Sequence, residues 1–356
     1  MIISYILKHS NNHFYQTKVS FPLPFIQLIN NIKKVLDIYT CLLYDECVKE
    51  NGGQQKTKTH TQTHTKYKLF IFIATLLWGS SFFVHKTTML AFTPISLVTI
   101  RHGIAFLALL FFIQKKLKLL NKSYWIAATQ ISIVLFAGNV ASSYGLVEID
   151  PGKNAFLTAV YCIIVPFIAW FAMKKRPHTA QFLAAFVCII GIGFVSLKEN
   201  LTIGKGDFLS LVSGVIFAIQ IVMLAQALQD KEPILLTLLI FGMNALFGWL
   251  TMVLAGIPVL NGGATLTFGA FSGLIYLSIP VTMIAFILQN TAQKYVNPSS
   301  ASLILSLEAV FGVIFSIIFY NERLTIRLIC GFALIFLAIL ISETKLSFLT
   351  RTSPNR

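Results

Sequence analysis

From residue 69 to residue 342 the chain alternates long apolar runs with short polar breaks. The apolar runs fall at 69–88, 94–114, 124–146, 153–173, 180–197, 207–228, 233–255, 268–289, 299–319 and 325–342. A helix crossing hydrocarbon needs about 20 apolar residues, whereas a helix on the core of a soluble protein keeps a polar face for water. These runs are apolar all round, so the pattern predicts ten membrane-spanning α-helices. The breaks hold residues that start and stop helices: Thr93-Pro94, Asp150-Pro151-Gly152, Arg176-Pro177, Glu232-Pro233, Asn261-Gly262-Gly263 and Asn297-Pro298. Links this short set successive helices side by side and antiparallel.

The last two runs, from Pro298 to Ser342, are joined by the corner Asn321-Glu322-Arg323. A weaker copy begins at Pro151 and turns at Arg176, about 147 residues earlier. The pattern therefore divides into two similar halves, 67–200 and 204–345, with five spans each. Five is odd, so two consecutive copies enter the bilayer in opposite senses. The expected fold is an all-α polytopic membrane protein, an inverted repeat of two five-helix halves about an axis in the membrane plane, with a shared cavity near the midplane.

Composition agrees with the pattern. The chain is 56% hydrophobic and 12% charged over 356 residues, against roughly 25% charged in soluble domains. The net charge of +15 does not point to nucleic acid. Nine of the 28 Lys/Arg lie within the first 68 residues, and most of the rest flank apolar runs, where they set orientation and meet lipid headgroups. With the amino end inside, fourteen Lys/Arg near the spans fall on the inner side and six on the outer. Both termini are expected in the cytoplasm. Residues 1–66 hold no run of spanning length, and Lys8–Gln16 is polar where a signal peptide needs its apolar centre. They read as a loosely ordered cytoplasmic extension, and 346–356 as a cytoplasmic tail. The five cysteines form no CxxC pair, and His60 and His64 lie in low-complexity sequence, so neither a disulfide framework nor a metal site is expected.

Polar groups inside apolar runs are costly and mark partners or cavities. Glu308 is the sharpest, roughly nine residues into its span and so close to mid-membrane. A carboxylate there can carry a proton, meet a substrate amine or pair with Arg101. Its counterpart at the repeat offset is Tyr161, and across a dyad the two would face each other. Arg101 lies in the outward half of span two, where it can snorkel to the surface or hold a substrate anion. Trp78-Gly79-Ser80-Ser81-Phe82 interrupts span one with small residues suited to close helix approach. Pro166 and Pro280 are expected to kink their spans. The amides Asn139, Asn154, Asn244 and Asn290 read more readily as bridges between helices than as ligands, though together they suit a polar cavity, and Glu322 and Arg323 read as a capping and loop pair. Trp78, Arg101, Tyr161, Gln220, Asn244, Gln289 and Glu308 lie at similar depth and are expected to line one substrate cavity.

Trp78–Phe82, Leu97–Arg101, Gly206-Asp207, Glu308 and Asn321–Leu324 stand in an order and spacing that resemble the EamA family of the drug/metabolite transporter superfamily, over about residues 67–345. The resemblance implies an inner-membrane carrier, often an exporter of amino acids or other small metabolites, working by alternating access. Two positions depart from the family pattern. The first-half corner is Lys174-Lys175-Arg176-Pro177, without the acidic residue before Arg, and Glu308 is followed by Ala309 where proline is common.

The leading expectation is thus a secondary transporter of small organic solutes, open to proton coupling and needing no cofactor. A multidrug efflux carrier stands beside it, because 13% aromatic residues can build cation-friendly walls. An embedded enzyme would need a convergent nucleophile, base or metal set, and no HExxH, paired intramembrane aspartates or Gly-x-Ser-x-Gly occurs. A channel would need a repeated filter or charged rings. Partners are the bilayer and a small-molecule substrate, and the small-residue stripes permit a homodimer.

Overall fold

A computed structural model describes residues 57–174, 176–197, 203–293, 295 and 304–344. The chain divides into two compact units, Met1–Thr61 and Gln62–Arg356, and the second carries all that follows. Residues 1–56, the start of the ninth predicted span and the whole carboxyl tail, 346–356, lie outside the described residues.

Eight helices are long and apolar enough to cross a membrane: α1 (Tyr67–Thr88), α2 (Pro94–Leu119), α3 (Lys122–Glu148), α4 (Pro151–Ala172), α5 (Thr179–Ser196), α6 (Lys205–Ala227), α7 (Pro233–Ala255) and α8 (Phe268–Gln293). Two shorter apolar helices follow, α9 (Leu307–Tyr320) and α10 (Ile326–Ser342). Among the described residues there is no strand, only two isolated backbone bridges. Large apolar side chains such as Phe111, Phe171 and Leu254 point outward, which suits a lipid surround rather than water.

The helix ends follow local chemistry. Pro94, Pro151 and Pro233 each stand in the first helical turn, where the missing N–H is not needed. Thr93 caps α2 through the Ser96 N–H, and His178 with Gln181 forms a capping box at α5. Of the two prolines expected to kink their spans, Pro280 lies in a π-helical stretch of α8, Leu277–Ile284, and Pro166 lies inside the helical part of α4 from Tyr161 to Met173. Two irregularities were not foreseen: a second π-helical turn, Ser316–Tyr320, ends α9, and α4 is interrupted at Ala159 and Val160, directly before Tyr161.

Helices pack in pairs across the two halves: α2 with α7, α3 with α6, α4 with α9 and α5 with α10. Helix α1 lies against α8 and α9 through Trp78 and Gly79. The ends of α2 and α7 are tied twice. At one end the Asn261 side chain donates to Met89 O at 2.7 Å and Thr93 donates to Pro258 O at 2.9 Å. At the other, Lys116 pairs with Glu232, and the Glu232 N–H donates to the Tyr124 hydroxyl at 2.8 Å. Glu322 was expected to serve its own corner with Arg323. Instead it is buried, and its Oε2 accepts from Gly152 N at 2.7 Å and from the Ser316 hydroxyl, so it caps α4 in the other half. Gly152 is fitted to this, since a Cβ there would stand 2.6 Å from that oxygen.

Candidate functional site

The helices enclose a cavity of about 910 Å³, counting its open mouth, lined from α1, α2, α3, α4, α6, α8 and the stretch entering α9. Each wall follows from helical periodicity. On α1 the lining residues are Trp78, Ser81, Phe82 and His85, spaced i, i+3, i+4, i+7 along one face. On α3 they are Leu135, Asn139, Ser142, Ser143 and Leu146, again one stripe. The walls are mostly apolar, with a few convergent polar groups, as in small-molecule sites generally.

Six of the seven expected residues meet here: Trp78, Arg101, Tyr161, Gln220, Gln289 and Glu308. Trp78 is fixed by its indole N–H, which donates to Val281 O at 3.0 Å, and by an edge-on contact with Phe286 at 5.2 Å between centroids. The π-helical stretch of α8 thus presents backbone at membrane depth where it borders a cavity, the setting in which irregular backbone is tolerated. Gln220 and Gln289 make no side-chain hydrogen bond among the described residues, which leaves their amides to the cavity.

Tyr161 donates its hydroxyl proton to Glu308 Oε2 at 3.1 Å, so the two residues related by the 147-residue offset touch. Of the roles open to Glu308, pairing with Arg101 is not made: no ion pair joins them among the described residues. Nor does Arg101 snorkel to a surface. It is 8% exposed and turned into the cavity, where Nη2 donates to Asn139 Oδ1 at 2.6 Å and Nη1 lies 3.4 Å from His85 Nδ1.

Asn244 does not reach the cavity. It is fully buried on α7, and its amide donates back to Ile240 O on its own helix at 2.9 Å. Similar depth placed it with the others in the sequence, but depth is independent of rotation about the helix axis, and α7 supplies no wall. Asn154 and Asn290 bridge helices as expected, through Ser210 and Thr237. His85 was missed because it adjoins Lys86-Thr87-Thr88, which reads as the polar end of the span. Its i+7 relation to Trp78 was the available signal. Among the described residues no group of three or more His, Cys, Asp or Glu is placed to hold a metal.

The sequence pattern of the EamA-like transporter family matches residues 65–197 and, a second time, residues 204–344. A protein of Archaeoglobus fulgidus described as an uncharacterized transporter is 28% identical over 309 residues, covering 86% of this chain and 93% of its own. A solved crystal structure, described only as that of a protein, superposes with a TM-score of 0.58 at 15% identity, covering 81% of this chain and 99% of its own, and so shares the fold. With apolar helices that imply a bilayer and a family pattern carried twice, the chain belongs to the EamA-like transporter family and is a multi-pass membrane transporter.

Proposed function

We propose that the protein is a secondary carrier that moves small organic metabolites across the cell's inner membrane by alternating access, with ten spans arranged as two inverted halves, 67–200 and 204–345. Amino acids or their derivatives are the substrate class, export is the direction, and both termini face the cytoplasm. The substrate site is the cavity, with Trp78, Arg101, Tyr161, Gln220, Gln289 and Glu308 as contacts and proton coupling assigned to Glu308. The observation that carries this reading is the contact between Tyr161 and Glu308. A residue touches its own repeat counterpart only near the axis relating the repeats, and an axis through a ligand-sized cavity offers two equivalent shapes, one open to each side. Two further offsets of 147 support it. The α4 interruption at Ala159 recurs as a turn at Ser306. The two positive-φ residues other than glycine among the described residues are Lys174 (55°) and Asn321 (56°).

A multidrug efflux role is favoured by one feature, the aromatic walls Trp78, Phe82, Phe217 and Phe286 around a carboxylate. Counterflow in proteoliposomes separates the readings. Purified protein is loaded with a pool of amino acids, nucleosides, sugars and organic cations, beside a Glu308→Gln variant. Saturable, stereospecific exchange of amino acids, slowed about 10-fold or made insensitive to pH in the variant, is the expected result. Exchange confined to bulky cations selects the efflux role. Exchange unchanged in the variant makes Glu308 structural.

A further inference from the structure

Arg101 is a cation without an anion. A guanidinium is only a donor and stays charged, so each of its neighbours here must accept. Asn139 Oδ1 accepts at 2.6 Å. His85 Nδ1, at 3.4 Å, is therefore unprotonated on that nitrogen, which puts the ring proton on Nε2, facing Ser143 Oγ at 3.2 Å. The neighbours Asn139, His85 and Ser143 bring no negative charge. The buried Nε has no hydrogen-bond partner among the described residues, and no described carboxylate lies within ion-pair distance. Glu308 faces the same cavity, yet its contact is with Tyr161. Buried charges are as a rule paired, and a planar guanidinium fork is matched to the two oxygens of an oxyanion.

We propose that Arg101 is a subsite for the oxyanion group of the transported solute, with Asn139 and His85 as positioning residues that hold the fork toward the cavity. The inference rests on reading the cavity as the solute site. The solute it selects carries a carboxylate or similar oxyanion on a small apolar body, since Phe82, Leu135 and Leu146 line the same cavity. Asn139 is neutral for a reason under this proposal: a carboxylate in its place would occupy the guanidinium permanently.

The test uses full-length protein in detergent and two probe sets of constant body and changing head: butyrate and 3-phenylpropionate, each beside its alcohol and its amine. Calorimetric titration gives Kd. The expected result is that an acid binds more tightly than its alcohol, and that Arg101→Gln loosens the acid roughly 10-fold to 100-fold while leaving the alcohol unchanged. If Arg101→Gln fails to fold, Asn139→Asp keeps the shape and adds an internal ion pair. It is expected to cause the same selective loss, and Asn139→Ser to cause less. Equal binding of acid and alcohol by the unaltered protein, or an acid preference that survives in Asn139→Asp, overturns the proposal. Counterflow with the same probes keeps the two readings apart. Arg101-dependent acid binding without exchange leaves the subsite standing and removes the carrier. Exchange whose head-group preference ignores Arg101 and Asn139 does the reverse.

Discussion

Glu322 joins the two halves with a single side chain. Its Oε2 takes the Gly152 N–H at the start of α4 and the Ser316 hydroxyl in α9, and the residue is only 6% exposed. Truncation to alanine leaves both donors unmatched, and a buried donor without an acceptor costs about 1–3 kcal/mol. Glu322→Ala is therefore expected to lose that much in denaturant unfolding, and Glu322→Gln, which keeps an acceptor, clearly less. The charge has a separate signature. Burial pushes the Glu322 carboxyl above its usual pKa, despite the opposing hydrogen bonds from Ser316 and Gly152. The folded protein then holds this proton more tightly than the unfolded chain, so stability falls as pH rises from the ordinary carboxylate range through the raised value. Melting temperature against pH should show that decline in the native protein and lack it in Glu322→Gln, and parallel curves would refute the assignment. The sequence placed Glu322 at a corner and suggested a capping role. It could not say which helix is capped, because that helix lies 170 residues away.

Among elements, the approach of α1 to α9 depends on Gly79. A Cβ there would stand 2.4 Å from the Phe311 Cβ and 3.1 Å from Glu308 O, and backbone cannot give way as a flexible side chain can. Gly79→Ala should force α1 outward, at the roughly 1–3 kcal/mol typical of overpacking. Because the contact includes the Glu308 carbonyl, it should also disturb solute binding. Gly193 on α5 is the control. A Cβ there meets only Leu197 Cδ1, at 3.6 Å, an ordinary contact. Gly193→Ala should be neutral or stabilising by up to about 1 kcal/mol from helix propensity alone. Equal effects on thermal unfolding would mean that Gly79 is not a packing position. A break in the apolar run of α1 was legible in Trp78-Gly79-Ser80-Ser81, since three small residues there are conspicuous, although the helix itself runs through them without interruption. The roles were not. Gly79 packs, Ser80 meets the Tyr276 hydroxyl at 2.6 Å, and only Trp78 and Ser81 line the cavity. Hydropathy reports a residue's depth, whereas a cavity is defined by rotation about each helix axis. That is why, of residues at similar depth, Arg101 and Glu308 lie on the cavity wall while Asn244 lies off it, and why His85, which also lines it, was passed over.

At the scale of the whole molecule the contacts repeat themselves. The tie between the α1–α2 link and the α7–α8 link lies at one end of the α2–α7 pair, and the tie from Lys116 near the end of α2 and Tyr124 near the start of α3 to Glu232 in the α6–α7 link lies at the other. Exchanging the halves converts one tie into the other and pairs α1–α8 with α6–α3. If that relation is an inverted repeat, Tyr161 and Glu308 stand in nearly equivalent surroundings, and exchanging them should preserve what they make together. Tyr161→Glu alone sets two carboxylates at one contact, and Glu308→Tyr alone replaces the carboxylate with a second, weaker-accepting phenol. The double exchange restores a tyrosine hydroxyl donating to a carboxylate, now from the opposite half. A double-mutant cycle on thermal or denaturant unfolding should then give a favourable coupling of about 1–3 kcal/mol, with the double variant more stable than the sum of the single losses requires. Additive losses would mean that the two sites differ in their surroundings, and that the shared offset reflects similar helices without an axis between them. If the double variant folds, the asymmetry between donor and acceptor has been reversed across the membrane. Comparing solute affinity from each face of a proteoliposome would then ask whether that asymmetry, rather than either residue alone, sets the favoured side.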